Sequence, residues 1–141
     1  MTDARLHDLL ADHRADGLGV GARARRDEVL AMHRAGALQT PAQQIVAATL
    51  LLDSEHLDDV RQAEALALRA MPHDRAARPL AATAYDRLRR LAGQPQKFGT
   101  QVVESERGLA LWPVDPATTD SERAKWGLPA LGELQRNRVT P

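Results

Sequence analysis

Apolar residues recur at the three- and four-residue spacing of a helix through most of residues 1–92, with polar residues between them. Turn and capping residues divide this region into five segments. The first ends near Gly17 and Gly19, and the others cover residues 22–35, 41–53, 57–71 and 73–93. The pattern therefore predicts about five helices, joined by short connections into stacked helical hairpins.

Capping residues mark several ends of these predicted helices. Thr40 precedes Pro41, which is a capping residue followed by proline at the first helical position. Gly36 stands where a helix over residues 22–35 should stop. Pro79 lies inside the fifth segment, where we expect it to restart or kink the helix because proline lacks a backbone donor.

The hydrophobic period changes after residue 93. The runs TQVVES and LALWPV flank Glu106, Arg107 and Gly108, which predicts a short β-hairpin. A polar loop, a short helix over residues 121–126, a last helical turn after Pro129 and a frayed tail over residues 136–141 follow. We predict a mainly α, single-domain protein over residues 1–141: a helical bundle (1–92), a loop and hairpin (93–114), and a polar loop with short terminal helices (115–141).

Composition narrows the class of protein. Apolar residues make up 43% and charged residues 27% of the chain, which is typical of a soluble globular domain. The formal net charge is zero, so an electrostatic drive towards nucleic acid or anionic lipid is not expected. No run of membrane-spanning length and no signal peptide is visible, so we expect a cytoplasmic protein without membrane contact.

The sequence predicts neither a metal nor another cofactor. There is no cysteine, which excludes disulfides and a thiolate nucleophile. None of the five histidines belongs to an HExxH or similar pattern. A metal site assembled from the distant residues His33, Asp53, His56 and Glu64 stays open, but their spacing does not favour it.

Three residues are candidates for acid–base chemistry: Glu64, Asp53 and His33. Val60, Ala67, Leu68 and Met71 surround Glu64 at helical spacings, so its carboxylate should point towards the edge of the core, where burial raises the pKa. The alternative is an ion pair with Arg61 or with an arginine of the fifth helix. His33 shares a helical face with apolar residues and is also explained by packing. Asp53 is also explained as a residue that completes a helix end.

The loop GQPQKFGTQ, residues 93–101, interrupts this helical sequence with three glutamines. Its glycine and proline are explained by the helix end and the turn, but amides and hydroxyls can also bind a polar ligand without charge. Asp86 and Arg87 lie one to two helical turns earlier. Two interpretations stay open: Asp86 forms a surface ion pair with Arg89 or Arg90 at helical spacing, or one of the two residues lies beneath this loop and orders it. The candidate substrate-binding residues are Asp86, Arg87, Gln96, Thr100 and Gln101.

The same residues resemble a bacterial protein family. The shared pattern is Tyr85-Asp86-Arg87, five residues, then Gly93-x-Pro95-Gln96-x-Phe98-Gly99-Thr100-Gln101, and it continues more loosely through Asp120-x-Glu122-Arg123 and Trp126-Gly127-Leu128-Pro129. The resemblance covers roughly the second half of the chain. It implies a mostly helical domain and brings no activity, cofactor or partner. Relatives often carry histidine at the positions that align with Asp53 and Glu64, whereas this chain has carboxylates there.

Three hypotheses about function follow. The first is a small cofactor-independent enzyme that acts on a polar small molecule, as a hydrolase, cyclase or isomerase, with the acid–base candidates as catalysts and the loop residues as the binding groups. The second is a non-catalytic binding or protein-interaction module, for which a homodimer stays open. The third is that every polar residue singled out has a structural role. A pocket that holds Glu64, Arg87 and Gln101 together would favour the first.

Overall fold

The fold is mainly helical, as predicted. A computed structural model describes residues 2–16, 19–136 and 138–139. In these residues there are seven helices: α1 (Thr2–Asp16), α2 (Ala22–Arg34), α3 (Pro41–Leu52), α4 (Leu57–Ala70), α5 (Ala77–Leu91), α6 (Asp120–Lys125) and α7 (Leu131–Gln135). One antiparallel hairpin, β1 (Val102–Ser105) and β2 (Gly108–Leu111), lies between α5 and α6. Gly17, near which the first helix was predicted to end, lies outside the described residues.

Helix α3 is the centre of the bundle. It packs against α4 most extensively and also contacts α1, α2 and α5. The core consists almost entirely of leucine, valine and alanine: Leu6, Leu9, Val29, Leu38, Ala47, Ala48, Leu50, Leu51, Ala63, Leu66, Ala67 and Ala81. Because so many of these side chains are methyl groups, the helices can approach one another closely. No helix in the described part of the chain is long and apolar enough to cross a membrane.

The predicted helix ends are confirmed at α2 and α3. The Thr40 hydroxyl accepts a hydrogen bond from the Gln43 N–H (3.2 Å), and the Gln43 side chain accepts one from the Thr40 N–H (3.1 Å). Gly36 follows α2 with a φ of 72°. The prediction for Pro79 was wrong in its consequence. Pro79 is the third residue of α5, where backbone N–H groups have no acceptor within the helix, so it neither restarts nor kinks the helix.

The buried face of α4 differs from the prediction at one residue. Val60, Ala63 and Ala67 are buried as expected, but Leu68 is 43% exposed. The buried stripe passes through Leu66 and Ala70 instead, which leaves Leu68 at its edge. Glu64 lies on this same edge and is half-buried.

The hairpin pairs Val102 with Leu111 and Ser105 with Gly108. Gly108 has a φ of 120°, a conformation that favours glycine and explains its place at the turn. Beyond the hairpin, Gln96 forms a parallel bridge with Val114. Part of the tail predicted to fray, residues 137 and 140–141, lies outside the described residues, whereas the Val139 N–H donates to the Leu109 carbonyl (2.9 Å).

Candidate functional site

Asp86 holds the loop that follows α5. Its side chain is fully buried. One carboxylate oxygen accepts hydrogen bonds from the N–H groups of Lys97 (2.8 Å) and Phe98 (2.9 Å). The other accepts from the N–H groups of Gly99 and Thr100 (both 3.1 Å) and from the Thr100 hydroxyl (2.7 Å). Residues 97–100, here called the carboxylate-binding loop, are therefore wrapped around one aspartate.

Gln96 and Gln101 close the base of this loop. The buried Gln96 amide donates to the carbonyls of Gln101 (3.0 Å) and Trp112 (2.7 Å) and accepts from the Gln101 N–H (2.8 Å). The Gln101 side chain accepts from Arg90 Nε at 3.1 Å. These side chains and the Thr100 hydroxyl already have protein partners, so the groups predicted to bind a substrate serve the fold of the loop instead.

Arg123 supports the loop from the opposite side. It is only 1% exposed. Its Nε donates to the Phe98 carbonyl (2.7 Å), and Nη1 donates to the Thr118 carbonyl (3.2 Å) and to Asp120 (3.0 Å). The backbone N–H groups of the carboxylate-binding loop thus donate to Asp86 on α5, and the Phe98 carbonyl accepts a hydrogen bond from Arg123 on α6.

Arg87 points away from the loop. Its Nε donates to the Ser54 carbonyl (2.8 Å), and Nη2 donates to the Asp53 carbonyl (3.0 Å) and to the Glu55 carboxylate (2.9 Å). Burial, partly offset by Glu55, lowers the pKa of Arg87. The expectation that Asp86 or Arg87 orders the loop therefore holds for Asp86, whereas Arg87 ties α5 to the turn between α3 and α4.

Asp53 and His33 lie elsewhere in the molecule. Asp53 caps the end of α3, in agreement with its interpretation as a residue that completes a helix end, and its carboxylate lies 3.2 Å from Nε2 of His13. His33 is half-buried in the last turn of α2. Neither residue lines the pocket beside Glu64. Among the described residues, no group of three or more histidines and acids is arranged to hold a metal ion.

Glu64 lines a pocket between α4, α5, the carboxylate-binding loop and the end of α6. This pocket has a volume of about 290 Å³ and is here called the Glu64 pocket. Its lining residues are Glu64, Leu68, Ala81, Ala82, Tyr85, Lys97, Phe98 and Trp126. The wall is mostly apolar, and the ionisable groups among these residues are Glu64, Lys97 and Tyr85.

The Glu64 carboxylate has no hydrogen-bond or ion-pair partner among the described residues. The alternative for Glu64, an ion pair with Arg61 or with an arginine of α5, is therefore wrong, and Arg61 donates to Asp58 (3.2 Å). Burial raises the pKa of Glu64, and no opposite charge counteracts that effect. The pocket therefore contains a partly desolvated acid whose oxygens accept no hydrogen bond from the described residues.

Three aromatic rings stand together at this pocket. Tyr85 and Phe98 meet edge to face with ring centroids 6.2 Å apart, and Phe98 and Trp126 are 5.5 Å apart. The Lys97 ammonium lies 5.4 Å from the Phe98 centroid and 2.9 Å from the Glu122 carboxylate. That carboxylate raises the pKa of Lys97. Lys97 is thus paired with Glu122.

The aromatic residues and Lys97 were not predicted as site residues. One signal for them in the sequence is the scarcity of aromatic residues. The chain has only four, and three of them line this pocket. They occur in segments far apart in the chain, on α5, in the loop and after α6. Helical periodicity predicts which residues of one segment are buried, but it does not predict which segments contact one another.

The structure separates the residues that the enzyme hypothesis required in one place. Glu64 lines the Glu64 pocket, Arg87 binds the turn at residues 53–55, and the Gln101 side chain bonds to Arg90. Of the predicted catalytic and substrate-binding residues, Glu64 alone lines this pocket.

Comparisons with family models, curated proteins and solved structures find no match to this chain. The family resemblance, the bacterial source and the cytoplasmic location remain predictions from the sequence.

Proposed function

We propose that this protein is a binding protein for a small molecule that occupies the Glu64 pocket. The observation that carries the proposal is the free, desolvated carboxylate of Glu64 in a wall made by three aromatic rings and small aliphatic side chains. Ligand pockets commonly combine an apolar lining with a few polar groups that fix orientation. Here Glu64 is the group that orients the ligand.

The proposed ligand site lies apart from the side chains of the loop that were predicted to bind a substrate. Asp86, Gln96 and Thr100 keep their protein partners when a ligand enters the pocket, because their polar groups are occupied by the loop. Asp86 contributes indirectly, because it accepts from the N–H of Phe98, whose ring lines the pocket.

A fragment screen by ligand-observed NMR tests the proposal. The wild-type protein is compared with Leu68→Ala at the pocket and with Leu109→Ala on the hairpin, since these two leucines are almost equally exposed (43% and 42%). We expect hits to bind the wild type and Leu109→Ala equally and to lose affinity in Leu68→Ala. If neither Leu68→Ala nor Glu64→Gln weakens any hit, the proposal is wrong.

A second proposal, general acid–base catalysis on the bound molecule, is favoured by the raised pKa of Glu64. A carboxyl group that keeps its proton to higher pH is better suited to act as an acid near neutrality. Glu64→Gln would then abolish turnover of a bound substrate while binding and fold persist. Retained turnover in this variant would exclude Glu64 from catalysis and leave the binding proposal standing.

A further inference from the structure

The Glu64 carboxylate has no ion-pair partner among the described residues. Lys97 is the one basic residue that lines the pocket, and its ammonium is paired with Glu122 at 2.9 Å. Arg61 on the same helix is paired with Asp58. When Glu64 is ionised, its carboxylate is therefore a negative charge in a partly desolvated place without an ion-pair partner among the described residues, and a bound cation would supply that partner.

The aromatic rings favour the same kind of ligand. The face of an aromatic ring carries partial negative charge and attracts cations within about 6 Å of its centroid. This cluster already holds two cationic side chains at that range, Lys97 at 5.4 Å from the Phe98 centroid and the guanidinium of Arg89 at 6.0 Å from that of Tyr85. Trp126, whose indole is the strongest ring for such contacts, is the third member.

The size and the remaining wall of the pocket limit the ligand further. A volume of about 290 Å³ is at the lower end of the range for ligand pockets. The rest of the wall is a hydrocarbon surface formed by Leu68, Ala81 and Ala82. A compact cation with an alkyl or aryl body matches this wall better than a heavily hydrated inorganic ion.

We propose, on the basis of the binding function above, that the Glu64 pocket binds a small organic ammonium ion. The Glu64 carboxylate is the counter-charge, and the rings of Tyr85, Phe98 and Trp126 face the cation. The alkyl or aryl part of the ligand lies against Leu68, Ala81 and Ala82.

Isothermal titration with matched probes tests this inference. Choline is compared with its neutral carbon isostere, in which carbon replaces the ammonium nitrogen, and benzylammonium is compared with benzyl alcohol. We expect at least one of the two ammonium ions to bind the wild type about tenfold more tightly than the matched neutral probe. In Glu64→Gln this preference should fall to about threefold or less, while Glu106→Gln, which changes an exposed acid, should retain it.

Each result separates this inference from the binding proposal. If the charged and neutral probes bind equally, or if only neutral fragments bind at Leu68, the pocket binds ligands and the ammonium preference is wrong. If an ammonium ion is preferred and Glu64→Gln does not change the preference, the assignment of Glu64 is wrong. If neither probes nor fragments bind at this pocket, the proposed function fails.

The pH profile of choline binding supplies a readout that a structural role would not produce. Wild-type affinity should rise as Glu64 ionises, and Glu64→Gln should lack this rise. The other groups at the site are Lys97 and Tyr85 in the wall, Glu122 behind Lys97, and Arg89 over Tyr85. These groups are present in both proteins, so the difference between the two profiles isolates Glu64. Parallel profiles would contradict the proposal.

Discussion

Two carboxylates on neighbouring helices have opposite surroundings. Asp86 on α5 is fully buried and accepts five hydrogen bonds, all from residues 97–100. Glu64 on α4 is half-buried and has no partner among the described residues. Both face the same loop, since the Phe98 N–H binds Asp86 and the Phe98 ring lines the Glu64 pocket.

The two surroundings determine which acid can still accept hydrogen bonds from a ligand. A buried acid is tolerated when enough donors are directed at it, and such an acid then organises structure. An acid that is desolvated without donors keeps its acceptor oxygens available. The acid with the most contacts is therefore the structural one, and the acid without them is the candidate for function.

Asp86→Asn should give the largest loss of stability. Each carboxylate oxygen accepts at least two hydrogen bonds, so an amide NH₂ in either orientation would face backbone N–H donors. We expect the free energy of unfolding to fall by about 4 kcal/mol. Urea unfolding followed by circular dichroism measures this, with the exposed Asp58→Asn as the control. Equal midpoints for the two variants would contradict the structural role of Asp86.

Arg123→Met should give the next largest loss. The variant leaves the Phe98 and Thr118 carbonyls without the donor that Arg123 provides. We expect a loss of about 2 kcal/mol, because the buried Nη2 of Arg123 has no partner among the described residues and its removal offsets part of the cost. The same urea experiment applies, with Arg107→Met at the exposed hairpin tip as the control. A loss no larger than that of Arg107→Met would mean that Arg123 does not stabilise the loop.

Gly99→Ala tests the backbone of the carboxylate-binding loop. Gly99 has a φ of 110°, and an added Cβ would lie 3.0 Å from a methyl group of Leu134. We expect a loss of about 1–2 kcal/mol from this strain. Gly132→Ala is the matched control, since an added Cβ there meets no atom within 4 Å and its position is helical. A thermal melt in which both variants match the wild type would show that the loop adapts freely.

The sequence predicts the helices and hairpin well because those elements follow from local patterns. Apolar spacing, the Thr40–Gln43 capping box and Gly108 at the turn each act over a few residues. The prediction for Pro79 was wrong because the effect of a proline depends on where the helix begins. Since α5 begins at Ala77, Pro79 lies in the first turn, where its missing N–H removes no hydrogen bond within the helix.

The candidate site was predicted only in part because it depends on contacts between distant segments. The apolar neighbours of Glu64 on one helix identify it as a candidate, whereas helical spacing alone left open whether Asp86 or Arg87 lies beneath the loop. The direction of Arg87 follows from the turn at residues 53–55, more than thirty residues earlier, with which no pattern connects it. Trp126 reaches the pocket because α6 lies against the loop, where Arg123 donates to the Phe98 carbonyl and Glu122 pairs with Lys97.

The pH dependence of Glu64→Gln should give the smallest effect. Burial raises the pKa of Glu64 in the folded protein, so the folded state keeps a proton that the unfolded chain has released. The favourable contribution of this proton is fully present below the unfolded pKa and is lost as pH rises through the folded pKa. Glu64→Gln lacks that loss, so its stability relative to the wild type should increase between about pH 4 and pH 7. Urea midpoints at both pH values measure the change, with Glu106→Gln as the control. A difference from the wild type that is constant with pH would mean that Glu64 is fully solvated, and the contrast with Asp86 would lose its basis.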